Sequence, residues 1–405
     1  MFVAWRDLKF AKGRFALMGT VIVLITLLVG LLSGLTAGLG RQNTSAITDL
    51  PADRIAFRAP GGGGDLSYAD STVTERQWRQ WSEAPGVEDA EPLGITTTKA
   101  TAGDRSAGVS AFGVRPGSRL APAGGIDDGA AVLSTTAADD LGVRRGDSFA
   151  LAGQRLRVAA VRGDAFFSHT PVVWTSLDVW RKAAPPTGDE GVSGGGSDDG
   201  ASGGGSDGGA SGGGRDDGAS GGGRDDGASG GGSDGGATAT VIALSTTSEA
   251  DVAALDEKAG TTTVATTDSL SAIGSYTSEN GSLQLMRGFL FAISALVVGA
   301  FFTVWTIQRS GDVAVLKALG ASTGGLLRDA LGQAVVLLVG GTLLGTGGAA
   351  ALGALAADSS VPFLLTPATV LLPAAVMVLL GALGAALSIR RITSVDPLTA
   401  LGSAR

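Results

Sequence analysis

Cysteine is absent from the 405 residues and histidine occurs once, at His169. The first absence removes disulfides, thiolate metal sites and cysteine nucleophiles. The second removes any multi-histidine metal centre and leaves a Ser-His-Asp triad barely possible. A lone histidine outside such constellations reads as a structural or surface residue. Lysine is also scarce: Lys9, Lys12, Lys99, Lys182, Lys258 and Lys317 are each followed by Phe, Gly or Ala. A phosphate-binding loop needs Gly-Lys-Ser/Thr, so this chain has none, and if ATP drives it the nucleotide is bound by another chain. No catalytic residue, cofactor or metal site is expected, and no basic patch interleaved with aromatics points to nucleic acid.

The formal net charge of −8 belongs mostly to one segment. Residues Ser193–Ala237 are five nine-residue units of the form SGGG(S/R)D(D/G)GA, holding eight Asp and two Arg and so −6 of that total. The period of nine resembles the calcium-binding β-roll repeat, but every unit lacks the aliphatic residue that forms the roll's core. The tract has no apolar residue larger than Ala to bury, and it reads as a solvated Gly/Ser/Asp insertion with the properties of a disordered coil.

Long apolar runs are what the chain has in excess. Phe15 to Gly40 carries no charge, which exceeds the roughly 20 residues needed to cross a bilayer. A cleaved signal peptide is the rival reading, since Lys9, Lys12 and Arg14 precede the run; its apolar core should be only about 7–15 residues. Three more charge-free windows follow: Gly288–Gln308, Ala330–Ala357 and Ser359–Ile389. Pro362 and Pro367 put the start of the last helix near Leu365, with Pro373 inside it. The expected spans are residues 15–39, 288–308, 330–357 and 365–389. Basic residues flank them at Arg6 to Arg14, at Arg309, Lys317 and Arg328, and at Arg390 and Arg391. All three clusters belong on the cytoplasmic side, so both termini are placed inside and residues 41–287 outside. Gly30, Gly34 and Gly38 recur at four-residue spacing, as do Gly341 and Gly345. Such spacing predicts close helix packing, within one chain or across a dimer.

Between the first two spans the pattern is α+β. Arg54–Phe57, Gly108–Phe112 and Arg155–Val161 read as strands, whereas Thr72–Glu83 and Thr135–Leu141 read as helices, the latter closed by Gly142. Thr240–Leu244, Glu249–Lys258 and Thr262–Ala265 read as strand, helix and strand. They should complete the same domain that the repeat tract interrupts. The fold class is therefore a membrane protein of four transmembrane α-helices with a large α+β extracytoplasmic domain between the first and second.

Two cytoplasmic segments have apolar arcs. Residues 1–14 place Phe2, Trp5 and Leu8 on one side of a helix with Arg6, Lys9 and Lys12 elsewhere, the pattern of an interfacial helix lying on membrane lipid. The loop of residues 309–328 holds a two- to three-turn helical pattern closed by Gly320, with an arc of Val313, Val315, Leu316 and Leu319 suited either to a protein partner or to the bilayer surface.

That loop, Asp312-Val313-Ala314-Val315-Leu316-Lys317-Ala318-Leu319-Gly320-Ala321-Ser322, resembles the coupling-helix motif of FtsX/MacB-like ABC transporter permeases, often written E-I-A-V-L-R-A-L-G-A-S. The lead Trp5–Phe10, the tail Arg391–Leu401 within residues 390–405, and Ala131–Asp147 are similar to other parts of that family. The resemblance implies a permease paired with a separate ABC ATPase, in a homodimer or heterodimer of permeases, coupling ATP hydrolysis to movement of its membrane and outer parts for export or extraction of a substrate. Asp312, Val313, Val315, Leu316, Lys317, Leu319 and Gly320 would then form the ATPase interface. The alternative within the family is a non-transporting regulator of a cell-surface enzyme, and outside it a membrane-anchored receptor without an ATPase.

Overall fold

A computed structural model describes residues 12–184, 237–308, 322–356 and 361–393, together with Gly311, Val315 and Gly320. Most of the N-terminal interfacial segment, nearly all of the repeat tract, most of the coupling loop and the tail lie outside these residues.

Four long helices form one bundle: α1 (Lys12–Thr48), α6 (Tyr276–Gln308), α7 (Thr323–Ala356) and α8 (Pro367–Thr393). Met18 and Ile22 of α1, Val298 and Phe302 of α6, and Ala334 and Leu338 of α7 make its small buried core. The opposite faces carry Leu296, Leu344, Leu355 and Leu387, each between 68% and 78% exposed. Leucines this bare have no place in water, and all four helices are long and apolar enough to cross a membrane.

Two helices outrun the apolar windows. α1 has 37 residues, about 55 Å at 1.5 Å per residue, against roughly 30 Å of hydrocarbon. It passes Arg41 and continues to Thr48, and α6 begins at Tyr276, well before Gly288. Hydropathy marks where lipid ends, not where helical hydrogen bonding ends. The polar turns beyond it are stabilised by protein: Asn43, Ser45 and Ile47 are buried in the α+β domain. α8 begins two residues later than Leu365. The Thr366 hydroxyl accepts from the Thr369 amide, and Pro367 takes the first helical position, where no amide donor is needed.

The α+β domain consists of two lobes sharing one strand. β3 (Val87–Ala102) pairs with β11 (Val241–Thr246) through Leu93 and with β4 (Arg105–Val114) from Gly94 onward. The first lobe is antiparallel, ordered β12 (Thr261–Ala265), β1 (Arg54–Arg58), β11, β3. In the second, β3, β4, β9 (Thr170–Ser176), β5 (Ala130–Leu133), β7 (Gln154–Val161) and β6 (Ser148–Leu151) follow in order. β6 then returns to β3 at Ala100↔Leu151, closing a six-stranded barrel and removing both edges.

Short helices cover the lobes: α2 (Glu75–Ser82), α3 (Thr135–Leu141), α4 (Leu177–Ala183) and α5 (Val252–Ala259). Local chemistry fixes their ends. Thr74 and Gln77 form a capping box, Ser134, Ser176 and Asp251 cap α3, α4 and α5, and Gly142 and Gly260 close α3 and α5 in the left-handed conformation. The segment expected as one helix over 72–83 divides into β2 (Val73–Thr74) and α2. β2 pairs with β10 (Ala237–Ala239), the strand that follows the repeat tract, so the last repeat alanine is already strand.

Candidate functional site at the base of the α+β domain

The paired glycines line one seam. A Cβ on Gly30 would lie 2.8 Å from the Ala349 Cβ, one on Gly341 would lie 2.7 Å from Ile22, and one on Gly345 would lie 2.6 Å from the Val23 carbonyl oxygen. Gly34 and Gly353 lie against the Phe363 ring, Gly38 against the Pro362 carbonyl, and the Leu364 amide donates to the Gly34 carbonyl at 3.1 Å. These contacts join α1 to α7 and to the 361–364 segment within a single chain.

Where α1 leaves this seam it is tied to a hairpin of the barrel. β8 (Phe166–Phe167) turns into β9 through Ser168 and His169, which have φ of 49° and 63°. Two successive left-handed residues are what a two-residue type I′ hairpin demands, usually met by Asn-Gly. The turn is held in place by α1: the Ser168 and His169 amides donate to the Asn43 and Gln42 carbonyls, each at 3.0 Å, and the Phe166 amide donates to the Ser45 hydroxyl at 2.8 Å.

α6 joins at the same point. The Asn43 side-chain amide donates to Glu279 Oε2 at 3.0 Å, and His169 Nε2 meets that oxygen at 2.7 Å. The Ser275 hydroxyl donates to Asn43 Oδ1 at 3.3 Å and lies 3.4 Å from the Ser168 hydroxyl. One carboxylate thus links both membrane helices to the barrel. The helical extensions are also bound through packing: Ile47 belongs to the apolar core that contains Phe57, Tyr68, Phe112 and Phe167, whose rings meet edge to face at centroid separations of 4.8–5.7 Å.

No local pattern in the sequence brings this junction together, since Asn43 and Glu279 are 236 residues apart. The one available signal was the lone histidine. Of the expected ATPase interface, Val315 is exposed and Gly320 has φ of 91°, while Asp312, Val313, Leu316, Lys317 and Leu319 lie outside the described residues. Among the described residues there is no cluster of three or more metal-ligating side chains.

Residues 285–397 match the FtsX-like permease C-terminal family. The chain is 24% identical over 413 residues, covering 99% of both chains, to the putative hemin transport system permease protein HrtB of Staphylococcus haemolyticus. It is 30% identical over 167 residues to the protein of that name in Staphylococcus epidermidis, covering 40% of this chain and 47% of the relative. Among solved structures, the periplasmic region of MacB from Actinobacillus actinomycetemcomitans aligns at 8% identity and TM-score 0.33, covering 55% of this chain and 92% of that one. The extracellular domain of the noncanonic ABC-type transporter YknZ from Gram-positive bacteria aligns at 12% identity and TM-score 0.30, with coverage of 52% and 97%. The family match begins within α6 and extends past α8, and the alignment to the staphylococcal permease runs from end to end; with four membrane helices and an α+β domain between the first two, the chain carries an FtsX-like permease C-terminal domain and is similar over its whole length to a transport-system permease.

Proposed function

We propose that this permease couples ATP hydrolysis in a separate ATPase subunit to movement of its α+β domain, and so exports or extracts an amphipathic substrate. Two permeases and two ATPases would assemble, with both termini and the 309–328 loop in the cytoplasm and the α+β domain outside. Asp312, Val313, Val315, Leu316, Lys317, Leu319 and Gly320 would dock on the ATPase as a coupling helix. The observation that carries this reading is the junction at Glu279. α1 and α6 run unbroken from the bilayer into the α+β domain, so displacement of either helix displaces the barrel hairpin bonded to both. The relatives' name makes hemin the first substrate to test.

The chain purified alone should hydrolyse no ATP, and with its ATPase it should form a complex that Leu316→Asp or Leu319→Asp breaks. Desolvating a carboxylate in an interface core costs several kcal/mol. Co-purification is measured beside membrane abundance, because a helix merely lying on lipid would lose insertion rather than partner. Normal ATPase binding and normal activity in both variants would remove this loop as the coupling site. Cells lacking the permease should be more sensitive to hemin; unchanged sensitivity would count against hemin but not against the coupling.

A further inference from the structure

A cavity of about 640 Å³ opens between the two lobes, directly above the junction. Tyr68, Ser71 and Thr240 of the antiparallel lobe form one wall, and Thr96, Phe167 and Trp180 of the barrel lobe the other. The base is Ile273-Gly274-Ser275, the three residues that lead into α6. The indole of Trp180 is seated on Gly94 and Gly113 of neighbouring strands, where a Cβ at either glycine would displace it.

Three features define what fits. The volume suits a molecule of a few hundred daltons, and aromatic rings with hydroxyls between them suit an apolar body bearing polar groups. Among the described residues the lining contains one charged side chain, Arg181, paired at 2.6 Å with Asp178 on its own helix, and no carboxylate. The indole of Trp180 supplies an apolar face to this wall, its buried Nε1–H being enclosed by protein and not presented to the cavity.

Position supplies the rest. Ser275 lies thirteen residues before Gly288, where the charge-free window of α6 opens beyond Arg287, so the base is about 20 Å above lipid at 1.5 Å per residue. The same Ser275 hydroxyl contacts both Asn43 and Ser168.

We propose that this cavity is a binding site for an amphipathic anion, an apolar body carrying a carboxylate, whose occupancy bears on α6 through Ser275. The site goes beyond the proposed coupling and rests on that reading only in taking its ligand to be the amphipathic substrate. A photoreactive diazirine derivative of palmitic acid is the probe, used on the full-length permease in phosphatidylcholine nanodiscs and mapped by peptide mass spectrometry. One arm carries the probe in the bilayer before reconstitution, the other adds it from water, which separates lateral from aqueous access. Label on peptides containing Tyr68, Thr96 or Trp180 in either arm is expected. Thr96→Trp, which fills the cavity, should reduce it at least about tenfold, a change of about 1.4 kcal/mol. Should that variant fail to fold, the exposed Arg181→Gln change decides. It should weaken labelling by the acid but not by the corresponding fatty-alcohol probe. Label confined to the membrane helices in both arms, or cavity label indifferent to Thr96→Trp, would overturn the site. Equal loss of acid and alcohol label in Arg181→Gln would overturn its anionic character.

Discussion

Ser168 and His169 occupy left-handed backbone conformations at the point where three elements meet. Non-glycine residues there cost about 1 kcal/mol or more each, whereas an exposed imidazole–carboxylate contact contributes about 0–1 kcal/mol. Strain relief therefore competes with loss of the His169–Glu279 bond. His169→Gly should leave thermal stability unchanged or slightly raised while lowering ATPase-coupled activity. Lost stability with intact activity would make the histidine a mere fold element. Tyr68 is a second informative side chain. It is 3% exposed, its hydroxyl donates to Ser269 at 2.9 Å, and burial pushes its ionisation well above the usual value of 10.0. Its pKa is raised on folding, so its stabilising effect is complete below the unfolded value and falls as pH rises beyond it. Wild type should thus lose stability between about pH 10 and 11 more steeply than Tyr68→Phe, read by denaturant titration. The variant itself should be about 1 kcal/mol weaker at neutral pH through the missing hydrogen bond. Equal slopes in the two proteins would assign the alkaline loss to other groups.

The seam between α1 and α7 shows what the small residues do for whole elements. Phe363 lies against both Gly34 and Gly353, so the segment before α8 is clamped between two helices by a single ring. Gly34→Leu should expel that ring and stretch the Leu364–Gly34 bond, costing about 1–3 kcal/mol as overpacking does. Gly19→Leu, on the same helix but with no atom within 4 Å of its Cβ position, should be neutral. Melting temperatures in detergent compare the two, and similar effects would deny the seam its role. The spacing of these glycines was legible in the sequence, as were the strands and the α3 stop at Gly142. Their partners were not, because Gly34 meets Phe363 through a segment whose prolines indicated only a non-helical lead. The ends of α1 and α6 escaped the apolar pattern for the opposite reason: tertiary contacts at Asn43, Ser45 and Glu279 continue helices through polar residues.

On the scale of the molecule, the described residues flanking the repeat tract end and resume at one place, since α4 and β10 are in contact. Removing residues 193–236 and joining the ends by a short Gly/Ser linker should leave membrane abundance and activity nearly intact, because a loop whose ends already lie close adds little folding energy. Ala237 must stay, as it pairs with Thr74. Loss of the folded protein on immunoblot and gel filtration would give the tract a structural role. The sequence by itself determined the four spans, the α+β character of the intervening domain and its interruption, because hydropathy, alternation and capping are local properties written in consecutive residues. Only the tertiary structure decided that β3 is shared by two lobes, that β6 closes a barrel against it, and that Asn43, His169 and Glu279 converge. Those arrangements depend on which distant segments bury one another's apolar faces and satisfy one another's polar groups, which residue spacing along the chain does not encode.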